Sequence, residues 1–380
     1  MRTTSSRRLT LGVALGALLF AGHPAFSAPD AKQVADALVA ASTATGRVKA
    51  SYDSATEEGG AIAITNYKAV RTDAQTVTIP KVLVTGAEER QPGGFTATSI
   101  AFDDGKATHG KDTVGWATGL VEEAVIPSAE EVKAESNIRP FSKFGMSNIS
   151  ISESNLAEPI TVSDVSMVLQ NAADGSTSAF ASQVGGIHFT SEVFKDEPQQ
   201  KAIIDALGYE KFDINIAAAG AFDAATEQMT LSSLTVNTAD VGTVTVKALL
   251  SGVSPGGAMT SNKESQTKSE AKLNNLEIRF DNSGVVERAL DMHAAMIFGT
   301  RADAAAQAKA LVPIGLNFLG GDAAFQAKAA QAVGDFLDNP KSITFSAAPS
   351  APVPLEEIGG AAISQRDTLP ALLGADITAN

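Results

Sequence analysis

A six-residue pattern that occurs five times constrains the fold of this chain more than any other sequence feature. Apolar residues occupy its first, fourth and sixth places, and most second and third places are polar. Successive side chains of a strand point to opposite faces, so a step of three breaks the alternation by one residue. A β-bulge at the third place would return all three apolar side chains to one face. Strands with one apolar and one polar face are therefore predicted at residues 79–84, 146–151, 162–167, 231–236 and 273–278.

Helical signals lie before, between and after these strands. Asp30 and Gly46 mark the start and stop of a first helix, and Asp196 and Gly208 mark those of a second. From Gly284 onward the apolar period becomes helical. The fold is predicted to be α+β, with an extended, twisted, largely antiparallel sheet of bulged amphipathic strands followed by a helical C-terminal region.

The same signals divide the chain into five segments. A polar stretch and one strand separate the sheet region from the helices. The predicted segments are a signal peptide (1–27), a helix and β-meander region (28–136), a second β region with one helix (137–255), a polar linker and strand (256–284), and the helical C-terminal region (285–380).

The N-terminus has the features of an export signal. Arg2, Arg7 and Arg8 precede a short apolar run at residues 9–21, and a small-x-small site follows at 25–27. These features predict a cleaved signal peptide and a periplasmic protein. An uncleaved anchor is the alternative, and the Arg pair also matches a twin-arginine signal, although the Sec route is favoured.

Composition excludes several function classes. The formal net charge is −14 with scattered Lys and Arg, which opposes binding to nucleic acid or to anionic membrane surfaces. The chain has no Cys, so disulfides, thiolate nucleophiles and zinc–thiolate sites are absent. Aromatic residues make up 6%, too few for sugar- or base-stacking platforms.

Local catalytic motifs are incomplete. Residues 265–268 match Ser-x-x-Lys, but they lie in the polar linker and no Lys-Thr-Gly element exists. Residues 252–256 match Gly-x-Ser-x-Gly, but Pro255 lacks the backbone N–H that would stabilise an oxyanion. His109, His188 and His293 lie far apart in sequence, so each is interpreted as a histidine with an ordinary hydrogen bond.

The remaining acidic residues that could suggest a binding or catalytic site are interpreted as parts of turns, helix caps or the surface. Asp104-Gly105 is predicted to form a hairpin turn, with weak calcium binding as the alternative. Glu122-Glu123 and Glu130-Glu131 lack the aromatic surroundings of a glycosidase site. Capping signals are predicted at Ser128 with Glu131, at Thr300 with Asp303, and at Asp322.

The part of the chain from Asp196 onward has four features that carry a family resemblance. They are Leu207-Gly208-Tyr209 after a predicted helix, Asp223 and Gly242 in a predicted meander, residues 280–284 before a predicted helix, and the ending 369–380. In these features the chain resembles a group of uncharacterised secreted alphaproteobacterial proteins, which implies export and supplies no catalytic residue. The bulged strands are also similar to those of AsmA-like and TamB-like envelope proteins. That resemblance implies a curved sheet with an apolar groove, associated with lipid transport or outer-membrane biogenesis.

Together these observations predict a noncatalytic periplasmic envelope protein that binds a lipid or acyl chain on a groove of its sheet. The alternative is a structural or scaffolding protein that acts through a protein partner, and a hydrolase is the less favoured third reading. No residue is predicted to be catalytic, cofactor-binding or metal-binding, and no cofactor is predicted.

Overall fold

The computed structural model describes residues 29–134, 141–171, 177–253 and 270–379. They form two compact units. The first unit contains the described residues up to Asn155 together with Asp164–Val168, and the second contains Leu156–Ser163 and the described residues from Leu169 onward. The predicted signal peptide and the polar segment 254–269 lie outside the described residues.

The first unit is an antiparallel sheet with two helices. Its elements are α1 (Ala31–Thr43), β1 (Val48–Ser51), β2 (Ser54–Glu58), β3 (Ala61–Arg71), β4 (Thr76–Thr85), β5 (Glu88–Glu89), β6 (Gly94–Asp103), β7 (Lys106–His109), β8 (Asp112–Gly115), β9 (Thr118–Pro127), α2 (Ala129–Lys133) and β10 (Lys143–Ser152). Strand β3 pairs with β1, β2 and β4, and β4 pairs with β6 and β7. The sheet continues through β9 and β8 to β10.

Helix α1 closes the core of the first unit. Asp30 caps it as predicted, accepting a hydrogen bond from the Lys32 backbone N–H at 3.1 Å. Its apolar side includes Val34 and Leu38, both almost fully buried, and the helix contacts β1, β2, β3, β6 and β9. Burial of each such side chain stabilises the fold by about 1.5–3 kcal/mol.

The predicted hairpin at Asp104-Gly105 is wrong. Strands β6 and β7 on either side both pair with β4 in one continuous register, so the dipeptide interrupts a single long strand. The glycine is needed for packing, because a Cβ at residue 105 would lie 1.9 Å from the Trp116 ring. Trp116 in turn donates its indole N–H to the Phe102 carbonyl at 2.8 Å.

The second unit is a meander followed by helices. Its elements are β11 (Ile160–Asn171, whose middle residues belong to the first unit), β12 (Thr177–Thr190), a 3₁₀ helix (Ser191–Phe194), α3 (Pro198–Ala206), β13 (Lys211–Asp223), β14 (Gln228–Thr238), β15 (Gly242–Ser251), β16 (Lys272–Asn282), α4 (Val285–Met296), α5 (Arg301–Leu319), α6 (Ala323–Asp338), β17 (Ser342–Ala347), β18 (Val353–Pro354), α7 (Leu355–Ser364), α8 (Leu369–Leu373) and β19 (Ala375–Ala379). Antiparallel pairing runs from β12 through β13, β14, β15, β16 and β17 to β19. The predicted α+β class, with a largely antiparallel sheet and a helical C-terminal region, is confirmed.

Helices α4, α5 and α6 pack together through small residues. Leu290 and Ala294 of α4 meet Ala304 and Ala305 of α5 in a buried cluster. The capping box that joins Thr300 and Asp303 and the N-cap at Asp322 form as predicted. Among the helices of the described ranges, none combines the length and apolar character needed to cross a bilayer.

In the second unit, one extra residue in a strand compensates for the three-residue spacing between apolar residues. The cross-strand register shifts in β12 between Val184 and Ile187, in β14 between Leu231 and Leu234, and in β16 between Leu273 and Leu276. In β14 and β16 the residue without a partner is at the second place, as Ser232 and Asn274, and not at the predicted third place. The third-place residue Ser233 keeps its partner Ala219 in β13, and Asn275 keeps its partner Leu249 in β15.

In the first unit, a residue with a left-handed backbone conformation compensates for the same three-residue spacing. One predicted third-place residue, Asn148, has a positive φ of 50°. Asn66 in β3 (51°) and Glu123 in β9 (48°) have the same conformation, although no segment was predicted there. Strands β3 and β9 keep one register with their partners β4 and β6 on both sides of the step, so no residue is added. The predicted third place is therefore correct at Asn148, but no bulge forms there or at residues 79–84 of β4, because both strands keep one register with their partners.

The conformation of Asn148 can be tested at an exposed position. A left-handed backbone costs about 1–2 kcal/mol for a side chain with a Cβ, is worst for β-branched residues, and is free for glycine. We expect Asn148→Val to lower the free energy of unfolding by about 1–2 kcal/mol and Asn148→Gly to leave it nearly unchanged. Urea denaturation followed by circular dichroism measures both, and equal stabilities for the two variants would contradict the assignment.

Arg90 and Glu131 form a buried ion pair that holds α2 against the strand ends. The guanidinium donates two bonds of 2.7 Å to the two carboxylate oxygens, and the side chains are only 5% and 10% exposed. Ser128 completes the predicted capping box with Glu131. Burial raises the pKa of Glu131, but the bonds from Arg90 and Ser128 outweigh it and hold the pKa below its usual range.

The free energy of unfolding should depend on pH through the Glu131 carboxylate. Because its folded-state pKa is depressed, its contribution is present above the unfolded-state pKa and is lost as the pH falls through the folded-state value. We expect Glu131→Gln to lower the free energy of unfolding at pH 7 by about 3 kcal/mol and to weaken its pH dependence in acid. The neighbouring Glu130→Gln is the control, because Glu130 is exposed and pairs with Lys133 on the surface. Urea denaturation from neutral to acidic pH distinguishes them, and equal effects would refute the assignment.

Candidate functional site

The second unit presents one continuous apolar face, built from alternate residues of seven strands. Cross-strand partners share a face, so each row of paired residues can be followed across the sheet. One row consists of Val184, Ile216, Val236, Val244, Phe280 and Ile343. The next consists of Ala218, Leu234, Val246, Ile278, Phe345 and Ile377. The bulges extend this face beyond the two rows, because each extra residue returns Ile187, Leu231 and Leu273 to the same side.

This face is only partly covered, unlike the corresponding core of the first unit. Ile64 and Val84 of the first unit are 0% and 1% exposed, whereas Val244 and Ile278 of the second unit are each 37% exposed. No residue of β13, β14 or β15 is fully buried except Gly220 and Gly242. The apolar pattern is the same in both units, but a closed core results in only one.

Helices cover the edge of the apolar face that is nearest the C-terminus. Phe336 of α6 packs edge-on against Phe280, with ring centroids 6.2 Å apart. Ile358 of α7 and Leu373 of α8 belong to a cluster around Leu273. Helices α6, α7 and α8 therefore lie over β16, β17 and β19, next to the half-exposed side chains of β13–β15.

An aromatic cluster closes the end of the face formed by β12 and β13. Phe189 and Phe212 stack with centroids 5.2 Å apart, and Tyr209 lies 5.7 Å from Phe212. The Arg288 guanidinium of α4 lies 4.5 Å above the Tyr209 ring, and the Tyr209 hydroxyl donates to the Asp240 carbonyl at 2.9 Å. Burial raises the pKa of Tyr209. The cluster ties α4 to the sheet and limits the face at this end.

The opposite face is polar. Thr235 and Thr245 pair across β14 and β15, and Lys247 pairs with Glu277 at 2.8 Å. The charged side chains of these strands therefore face away from the apolar surface. A ligand on the apolar face would therefore contact hydrocarbon side chains and no charged side chain of β14 or β15.

The structure separates the three histidines. His109 ends β7 beside a turn and pairs in register with Asp112. His293 lies on α4 with Nε2 3.2 Å from the Gln307 side-chain oxygen. His188 lies on the polar face of β12, and its Nδ1 is hydrogen-bonded to the Asp213 carboxylate. Within the described ranges, no three His, Asp or Glu side chains are arranged to hold a metal ion.

The other sequence candidates have structural partners or lie outside the described residues. Glu122 pairs with Lys143 at 2.6 Å, and Glu123 accepts a hydrogen bond from Ser142. Ser254 and residues 265–268 are not among the described residues. Sequence reasoning missed the pairing of His188 with Asp213, because 25 residues separate them and no motif marks them.

Comparison with known proteins adds little about activity. A family model described as "Uncharacterized protein" matches residues 235–380, from within β14 to the C-terminus. No curated protein matches the chain. The match covers the last strands of the apolar face and the helices beside it.

The difference in burial between the units predicts a difference in mutational cost. We expect Val244→Asn to lower the free energy of unfolding by about 1 kcal/mol, because part of that side chain is already in water. The matched change Val84→Asn should cost about 3 kcal/mol or more, because it buries an amide in a closed core. Urea denaturation measures both, and equal costs would show that the face is closed.

Proposed function

We propose that the second unit binds an acyl chain on its apolar face, that this binding is noncatalytic, and that the protein belongs to the bacterial cell envelope. The observation that carries this proposal is the row of half-exposed aliphatic side chains across β13, β14 and β15. Contiguous exposed apolar surface is costly in water and marks sites of interaction. The resemblance of the bulged strands to AsmA-like and TamB-like envelope proteins supports the same conclusion.

The chemistry of the face favours hydrocarbon over other ligands. Val236, Val244 and Ile278 offer flat aliphatic surface without a hydrogen-bond donor or acceptor. Sugars and bases need aromatic stacking platforms and polar partners, which the aliphatic side chains of β14 and β15 on this face do not supply. An unbranched acyl chain needs only a continuous apolar surface, which two adjacent rows supply.

The place of action that we propose is the periplasm. The argument rests on the basic residues, short apolar run and small-x-small site of residues 1–27. The acidic composition agrees with a protein that binds lipid by burial of apolar surface, not by attraction to anionic head groups.

A protein partner is the second candidate, favoured by apolar residues on the helices. Phe298, in the turn between α4 and α5, is fully exposed, and Met296 before it is largely exposed. Leu311 and Ile314, one turn apart on α5, are also largely exposed. Such residues would suit a scaffolding protein whose helices contact another envelope component.

Acyl binding can be tested with one charge placed on either face of one strand. We expect Val244→Asp to weaken the binding of a long-chain fatty acid at least about tenfold, because the carboxylate would lie against the hydrocarbon. Thr245→Asp adds the same charge to the opposite face and should leave the affinity unchanged. Isothermal titration calorimetry measures both affinities.

Native mass spectrometry of protein purified without detergent supplies the second measurement. We expect an acyl-lipid adduct on the wild-type chain and on Thr245→Asp, and none on Val244→Asp. A bare wild-type mass, together with no heat of fatty-acid binding, would contradict acyl binding. Leu311→Asp would then test the helix surface, through loss of a partner that co-purifies with the wild-type chain.

A further inference from the structure

We infer that Ser163, His188 and Asp213 form a serine acyl-transfer site on the polar face of the second unit, able to cleave small esters. These residues come from β11, β12 and β13 and lie within one unit. Asp213 and Asn215 alternate with Ile214 and therefore project from the face opposite the apolar surface. The site is thus separate from the proposed acyl-binding face, and it departs from the noncatalytic expectation at this one place.

The histidine is oriented by the aspartate. His188 and Asp213 are direct cross-strand partners, and Nδ1 of the imidazole is hydrogen-bonded to the carboxylate. A carboxylate only accepts hydrogen bonds, so Nδ1 must carry the proton and donate it. In the neutral ring this leaves the lone pair on Nε2, which is the tautomer that a general base for a serine requires.

A glycine bulge brings the serine to the histidine. The register of β12 shifts between Val184 and Ile187, and Gly186 has a φ of 58°. A Cβ on Gly186 would lie 2.2 Å from Ser163 Oγ and 3.5 Å from His188 Nε2. The hydroxyl and the base therefore border the same space, which stays open only because residue 186 has no side chain. Bulges are frequent beside active sites because they redirect side chains in this way.

Asn215 is the candidate donor to the oxyanion. Its side-chain oxygen accepts a hydrogen bond of 2.9 Å from the Gly186 backbone N–H, which fixes the amide beside the same glycine. Nδ2 of that amide is a donor of two N–H bonds. Among the described residues no hydrogen bond joins Ser163 Oγ to His188 Nε2, and such bonds often tighten only when substrate is bound.

The exposure of the site determines its substrate class. The His188 and Asp213 side chains are 52% and 40% exposed, so a small substrate reaches them directly from solvent. Water is not excluded, so the rate enhancement is expected to be modest and the leaving group must be a good one. An activated ester meets these conditions, whereas a peptide amide does not.

The reaction balances with water as the co-reactant. Ser163 Oγ attacks the ester carbonyl carbon while its proton passes to His188 Nε2. The ester C–O bond breaks, and the alcohol leaves with that proton. Water then adds to the acyl-serine and loses a proton to Nε2, which releases the carboxylic acid and restores the serine. Asp213 is a positioning residue that acts through the imidazole.

The test is covalent labelling of the full mature chain with a fluorophosphonate, in which the serine oxygen displaces fluoride from phosphorus. Peptide mass spectrometry should find the added mass on Ser163, and Ser163→Ala should remove it. His188→Gln should slow labelling at least about a hundredfold. Asp213→Asn should slow it at least about tenfold, and Asp213→Glu, which keeps a carboxylate, should recover part of the rate.

Ser232 supplies the matched control. It is an exposed serine at another bulge, so Ser232→Ala should leave the labelling of Ser163 unchanged. These are surface substitutions, and circular dichroism confirms that each variant is folded. No label on Ser163 in folded protein, or equal labelling rates for wild type and His188→Gln, would overturn the assignment. The fatty-acid measurements concern the other face, so failure here leaves that proposal standing.

Discussion

The pleat of a β-strand turns each residue to the face opposite its neighbour, and this constraint governs both units of the protein. A step of three between apolar residues conflicts with the pleat, so the backbone has to absorb one residue. The first unit does this with a left-handed residue such as Asn148 and keeps its register. The second unit adds a residue such as Ser232 or Asn274. Either device keeps the apolar face continuous, and the added residues also increase the twist of the sheet.

The two units differ in what covers the apolar face, although their strands have the same apolar pattern. In the first unit, α1 lies against five strands and brings Val34 and Leu38 into the core. In the second unit, α6, α7 and α8 pack over β16, β17 and β19, and the aliphatic side chains of β13–β15 stay half-exposed. Partial burial of this kind gives up some stability of the isolated unit and leaves apolar area for a ligand. That difference is the physical basis of the acyl-binding proposal.

Local signals in the sequence were enough to predict much of the fold. The caps at Asp30, Ser128 and Thr300 depend on neighbours within three residues, and each forms as predicted. The hairpin at Asp104-Gly105 failed because Gly105 makes room for Trp116, a contact invisible in the local sequence. The openness of the second sheet could not be predicted either, because the apolar pattern of β14 does not differ from that of β4. The pairing of His188 with Asp213 depends on a register that only the folded sheet defines.

The single Trp of the chain has a practical consequence. Trp116 is buried in the first unit, and of the three Tyr residues only Tyr209 belongs to the second. Indole fluorescence therefore reports the melting of the first unit alone, whereas circular dichroism follows both sheets. If the open sheet melts first, the far-ultraviolet signal should fall while the indole emission is still native. The fluorescence of Trp116 can therefore distinguish the unfolding of the first unit from that of the second without any chemical modification.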